Sequence, residues 1–121
     1  MSIETDFRAL LAAHAPLVAL VGNRIALNAV PEGAAAPLVV FSAAHDITTS
    51  LDGTVGDDAC TLSVQCWADT AAGADAVADA VVAALASAPR ENCVALTARS
   101  GTYEPELGMD ATLLTVEWWA A

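Results

Sequence analysis

Between Cys60 and Cys66 the chain reads CTLSVQC, and its side chains alternate without a slip. Cys60, Leu62, Val64 and Cys66 fall on one side, and Thr61, Ser63 and Gln65 on the other. A two-residue side-chain period belongs to the β-strand, so a half-buried strand is the conformation this segment selects. A matching pattern lies upstream: from Leu38 to about Thr49, residues Val39, Phe41, Ala43, His45 and Ile47 share a face. Between them stands SLDGTVGDD, whose Asp52-Gly53 step favours a tight reversal. The two segments therefore read as an antiparallel hairpin, apolar on one face, and that face must be covered.

The cover is legible in the flanking helical patterns. Ser2 is a suitable N-cap, and Glu4 and Asp6 sit in the first turn, where the helix dipole favours negative charge. Ile3, Phe7, Leu10, Leu11 and His14 then share one helical face. Ala15-Pro16 interrupts this pattern, and a short apolar turn, LVALVG, runs to Gly22 in a left-handed cap. Residues 23 to 37 carry two prolines and read as an ordered loop, with Arg24-Ile25 as a short extended piece. A second helix starts from a cap at Asp69 or Thr70 and runs to about Ala88, closed by Pro89. Its stripe is Ala74, Val77, Ala78, Val81 and Leu85, with Asp75 and Asp79 pointing away. Strands from about Cys93 to Tyr103 and Ala111 to Trp119, joined by EPELGMD, complete the chain. The order is α-β-β-α-β-β: an α+β fold, residues 1–121 as one domain, with a mostly antiparallel four-stranded sheet and its helices packed on one face.

Charge and composition narrow the functional classes. The 121 residues carry 15 Asp and Glu against four arginines and no lysine, a formal net charge of −11. Holding a nucleic-acid backbone takes clustered cations, which four scattered arginines do not supply. The acidity has two readings: solubility and habitat, or a surface that repels a polyanion. Hydrophobic residues make up 56% of the chain, but much of that is alanine. No window offers the roughly 18 to 20 large apolar residues of a membrane span. The opening MSIETDFRALL is acidic where a secretory signal is basic, so a soluble, unexported protein made in a reducing cytoplasm is expected.

The reactive side chains do not assemble into a site. Cys60 and Cys66 are six residues apart on one strand, about 20 Å at a rise of roughly 3.3 Å per residue. They share neither a metal ion nor a disulfide. His45 with Cys60, and Cys93 from another strand, still fall short of the four ligands zinc takes, or three and a water. Buried cysteines more often serve as small hydrophobes, and these are read as core. His14 is read as a helix-terminal imidazole facing a carbonyl. Asp57-Asp58 and the acids of EPELGMD lack the alternating ligand positions of a calcium loop. Gly53 and Gly56 serve a turn, not a phosphate, because no helix follows them. No catalytic residue, cofactor or metal is expected. Trp118 and Trp119 face opposite sides of their strand; one packs beneath a helix, and Trp119, beside Glu117, is a candidate partner surface.

Taken in order, the opening MSIETDFRALLAAHAPLVALVGNRI, the loop ending APLVVF, the hairpin LDG…LSVQCWADT, the helix ADAVADAVVAAL and the closing strand pair resemble one family. The likeness, over nearly the whole chain, is to the tail-completion or tail-terminator proteins of long-tailed phages and of phage-derived gene transfer agents. His45-Asp46, and the lack of a tyrosine after Arg24-Ile25, depart from the usual pattern and bear on the subgroup. The resemblance implies a structural virion-type protein and not an enzyme. It implies a homohexameric ring on the head-proximal end of the tail tube, touching the tube protein and a head-completion or stopper protein. DNA would meet the protein only in transit through the lumen, and no membrane is involved. The candidate docking hairpin is Leu51, Asp52, Gly53, Thr54, Val55, Gly56 and Asp57, with Trp119 and Glu117 as the second surface. Alternatives are another neck component, stopper or adaptor, or a small cytosolic metal-binding or ligand-binding protein.

Overall fold

Two short helices open the fold because a proline divides its first apolar stretch. The computed structural model describes residues 3–27, 35–46, 59–86, 92–106 and 108–120. Helix α1 (Ile3–Ala12) buries Phe7 and Leu11, one turn apart, completely. Helix α2 (Ala15–Val21) begins where the sequence showed only an interruption. Pro16 sits in its first turn, where a missing N–H costs nothing, and the amides of Leu17 and Val18 both donate to the His14 carbonyl. Gly22 closes α2 at φ +60°, a conformation that side chains rarely adopt, and its N–H donates to the Val18 carbonyl at 2.8 Å.

Five strands follow: β1 (Ile25–Leu27), β2 (Leu38–Asp46), β3 (Ala59–Ala68), β4 (Asn92–Glu104) and β5 (Met109–Ala120), with helix α3 (Ala71–Ala86) between β3 and β4. They form one mixed sheet in the order β1-β2-β3-β5-β4. The four-stranded expectation is corrected on two points. The sheet has a fifth strand, and that strand runs parallel to its neighbour, with Ile25 opposite Val39. Three residues are too few to show an alternation, which is why the sequence yielded only a short extended piece there. The other pairings are antiparallel, with Phe41 opposite Val64 and Val64 opposite Leu114.

All three helices lie on one face. Phe7, Leu11, Leu17 and Val21 from α1 and α2, and Val77, Ala78, Val81, Ala84 and Leu85 from α3, pack on Val39, Phe41, Leu62, Val64, Leu114, Val116 and Trp118. Phe7 is the keystone: its ring meets Phe41 edge-on at 5.1 Å and Trp118 at 5.8 Å. Thr70 caps α3, its hydroxyl accepting the Gly73 amide at 3.0 Å. Four of the buried residues of α3 are alanines, which bring the helix close to the sheet. The opposite face is not wholly polar, as the one-sided pattern had suggested. At one end Leu38, Val40, Trp67, Met109 and Ala111 form a second, smaller buried cluster, and the Trp67 indole N–H donates to Gln65.

Candidate functional site

Cys66, one of the candidate reactive groups, is fully buried opposite Val39 and Thr112. Burial pushes its thiol from an ordinary 9.0 up to about 12, with Arg99 drawing it slightly down. A thiol held protonated is inert as a nucleophile or metal ligand, so this residue is core, as expected. His45 does stand opposite Cys60 in the hairpin register. Cys93, however, pairs with Trp119 while Cys60 pairs with Trp118, so the third candidate lies one row away and across an intervening strand. His14 departs from its expectation: its Nε2 is buried with no hydrogen-bond partner among the described residues, while its backbone carbonyl starts α2.

The surfaces that distinguish the molecule are the two lateral edges of its sheet. At one edge β4 runs for 13 residues with nothing among the described residues paired beyond it in the sheet. A bulge between Leu96 and Ala98 sets the Thr97 hydroxyl to donate to the Thr115 carbonyl at 3.2 Å. On its helix side this strand presents Leu96, 43% exposed, and Tyr103, 56% exposed. Between them Arg99 reaches to α3, 2.9 Å from Asp79 and 3.5 Å from Asp75. Its hydrogen bond to Asp79 is the first cause holding the guanidinium more firmly protonated. Asp75 also accepts the hydroxyl of buried Thr112 at 2.9 Å. Beside it an open depression of about 290 Å³ is lined by Asp75, Gly101, Asp110 and Thr112, among others. Glu104 stands opposite Met109, on the face away from the helices, and its carboxylate accepts the Glu106 amide at 3.1 Å in the turn.

At the other edge β1 exposes Leu27, and α2, which packs on α1 and α3, exposes Val18 and Leu20. Arg8 donates its Nε–H to the Ile25 carbonyl at 3.3 Å, and Arg24 donates to the carbonyls of Pro37 and Leu20 at 2.8 and 3.4 Å. Sequence reasoning missed both edges. Leu27, Leu96 and Tyr103 are apolar residues in strands, and only the strand order reveals that no neighbour covers them.

Of the expected docking residues, Leu51 to Asp57 lie outside the described residues. Glu117 is exposed on β5, opposite Thr61 and Ala95, on the face away from the helices. Trp118 is the tryptophan packed beneath the helices, and Trp119 stands opposite Ala59 and Cys93.

A helix-covered sheet whose most distinctive surfaces are two sticky edges has the build of an assembly subunit. The sequence profile of the family described as tail completion protein gp17 matches residues 5–121, and the chain belongs to that family. It is accordingly a phage tail structural protein and not an enzyme. The fold is also that of a chain in the virion of a native gene transfer agent particle. The match has a TM-score of 0.77 at 23% identity, and covers 98% of this chain and 94% of that one. No curated protein is close enough in sequence to count as a match. Among the described residues, no helix is long and apolar enough to cross a membrane.

Proposed function

We propose that the protein is the tail terminator of a phage-like particle: a ring, six subunits in this reading, that caps the head-proximal end of the tail tube. The family match over residues 5–121 carries this reading. Several features support it. The similar fold comes from a gene transfer agent virion, a particle of the tailed-phage type. A subunit with an open edge on each side has the two unlike surfaces that a ring requires. The net charge of −11 suits a lumen through which a polyanion must slide without sticking. Docking to the tube protein and to the head-completion protein falls, in this proposal, to the segment Leu51–Asp57 and to Trp119 with Glu117. Loops and exposed strand ends on a rigid scaffold are where such contacts are made.

Electron microscopy of particles produced without this chain tests the role. Tails of uncontrolled length, left unattached to heads, are the expected result. Tails of normal length beside unattached heads would instead identify a stopper or adaptor.

A further inference from the structure

Gly101 stands inside an edge strand for no reason that the fold supplies. Its backbone is not left-handed, and a side chain there would meet nothing nearer than the Ala111 carbonyl at 3.9 Å. The bulge of β4 lies elsewhere, between Leu96 and Ala98. Glycine weakens a strand, and apart from bulges and bends it marks a place where a ligand or another backbone comes close. The gap it leaves opens on the depression lined by Asp75, Asp110 and Thr112. On the helix side of the sheet Gly101 is opposite Thr112, and the next residue on that side, Tyr103, is opposite Asp110. Asp110 is half-buried and has no hydrogen-bond or ion-pair partner among the described residues. No arginine is placed to neutralise it, and the chain has no lysine. Arg8 and Arg24 bond carbonyls at the far edge of the sheet, and Arg99 is drawn to Asp79, one turn further along α3. Arg90, the fourth, precedes Asn92, which is about 30 Å along β4 from Gly101 at roughly 3.3 Å per residue.

From these observations we propose that Ala98 to Glu104 take up an extended segment of another protein as a sixth strand, one arginine or lysine of that segment crossing over Gly101 to Asp110 and Asp75. This goes beyond the terminator reading and does not depend on it. The stretch is open to a new strand. Its seven residues pair with β5 without a register shift, and Ala98 through Tyr103 are exposed. It carries none of the proline, lysine or bulge that protects an edge. Antiparallel pairing leaves alternate residues of an edge strand with both backbone groups turned outward, so an added strand satisfies a row of hydrogen bonds. Two strand spacings of about 4.8 Å each would separate that strand from β5. A long cationic side chain and a carboxylate span this between them where nothing stands on β4 at that rung, and glycine leaves it clear. Tyr103 gives the segment an apolar neighbour on the same side, while Ala98, Ser100 and Thr102 on the opposite face suit small side chains. A second copy is the poorer occupant, because its remaining arginine, Arg90, follows Pro89, which has no N–H to donate to a ladder.

The heptapeptide TVTRTVT, acetylated and amidated, is the probe: its arginine and valines share one face and its threonines the other. Amide NMR spectra of the isotope-labelled full-length chain follow its binding up to about 1 mM peptide. Shifts confined to residues 98–104 and 110–112 are expected. Citrulline in place of the peptide's arginine, or Asp110→Asn in the chain, should weaken binding about tenfold, the cost of losing a hydrogen bond to a charged group. Gly101→Val should weaken it by as much while raising the thermal midpoint, because valine suits a strand and the space for it exists. No shift at that concentration, shifts elsewhere, or binding indifferent to the arginine or to Asp110 would overturn the proposal. A Gly101→Val chain that melts lower would do the same, since the glycine would then serve the fold. So would outward-facing amides of 98–104 already protected from hydrogen exchange before peptide is added, which would mean that a second copy fills the edge. The measurement uses the chain free of particles, so neither outcome of the tail-length experiment alters its result.

Discussion

Replacing Cys66 with alanine should flatten the alkaline limb of the protein's stability curve. The thiol is fully buried, and burial raises it from 9.0 to about 12. The folded chain thus keeps a proton that the unfolded chain gives up above pH 9. Stability from this group is fully present below 9 and falls as pH rises toward 12, by about 1.4 kcal/mol per pH unit at most. The loss comes to about 1 kcal/mol at pH 10 and about 2 to 3 kcal/mol at pH 11. Alanine removes that slope and leaves a small cavity costing about 1 kcal/mol at any pH. The two stability curves should therefore cross near pH 10, with the variant weaker below and stronger above. Urea titrations of both proteins at pH 8, 10 and 11 give the comparison. Cys60 and Cys93 are present in each, so their titration cancels in the difference. A difference that stays constant across the range would refute the claim that this thiol is sealed in an apolar core. So would alkylation of native Cys66 by iodoacetamide at pH 8.

Phe7→Ala should cost about 3 to 5 kcal/mol in urea unfolding, because it empties the contact among α1, Phe41 and Trp118. A cost below about 1 kcal/mol would mean that α1 is not fastened there. Asp75→Ala should cost about 1 to 2 kcal/mol, since it orphans the buried Thr112 hydroxyl, whereas Asp79→Ala loses only an exposed ion pair and under about 1 kcal/mol. Equal losses in thermal melts, or the reverse order, would count against the Thr112 bond. His14→Leu should leave stability unchanged or raise it by about 1 kcal/mol by removing a buried nitrogen with no partner. A clear drop in the chemical-denaturation midpoint would show that the nitrogen is bonded.

The central strands were legible because their chemistry is local. Cys60 to Cys66 alternates, and Thr70 and the stripe of α3 sit where helical spacing puts them. Long-range pairing left weaker marks. Nothing in IAL at 25–27 says that it will lie parallel to β2, since the pairing depends on residues 14 positions away. Leu38, Val40 and Trp67 fall on the face that alternation assigns to solvent, yet they are buried against Met109 and Ala111. That burial depends on which strands are neighbours, which a pattern along one strand does not encode. Cys66 could be read as core because strand rise alone separates it from Cys60. The edges could not be read, because an uncovered leucine in a strand looks in sequence like a covered one.

The strand order also sets a timetable for synthesis. β3 is zipped to β2 on one side, close in sequence, but its other side waits for β5, with Val64 finding Leu114 only when residues 109–120 exist. Until then the nascent chain holds Leu62, Val64 and Cys66 on a strand with one flank unpaired, a template for the wrong partner. β5, made after both of its neighbours, fills an interior gap in the sheet and brings Trp118 to Phe7 of α1. The packing of α1 on β5 thus depends on contacts far apart in sequence. Slow translation through residues 69–108 would lengthen the period in which β3 has only β2 to pair with.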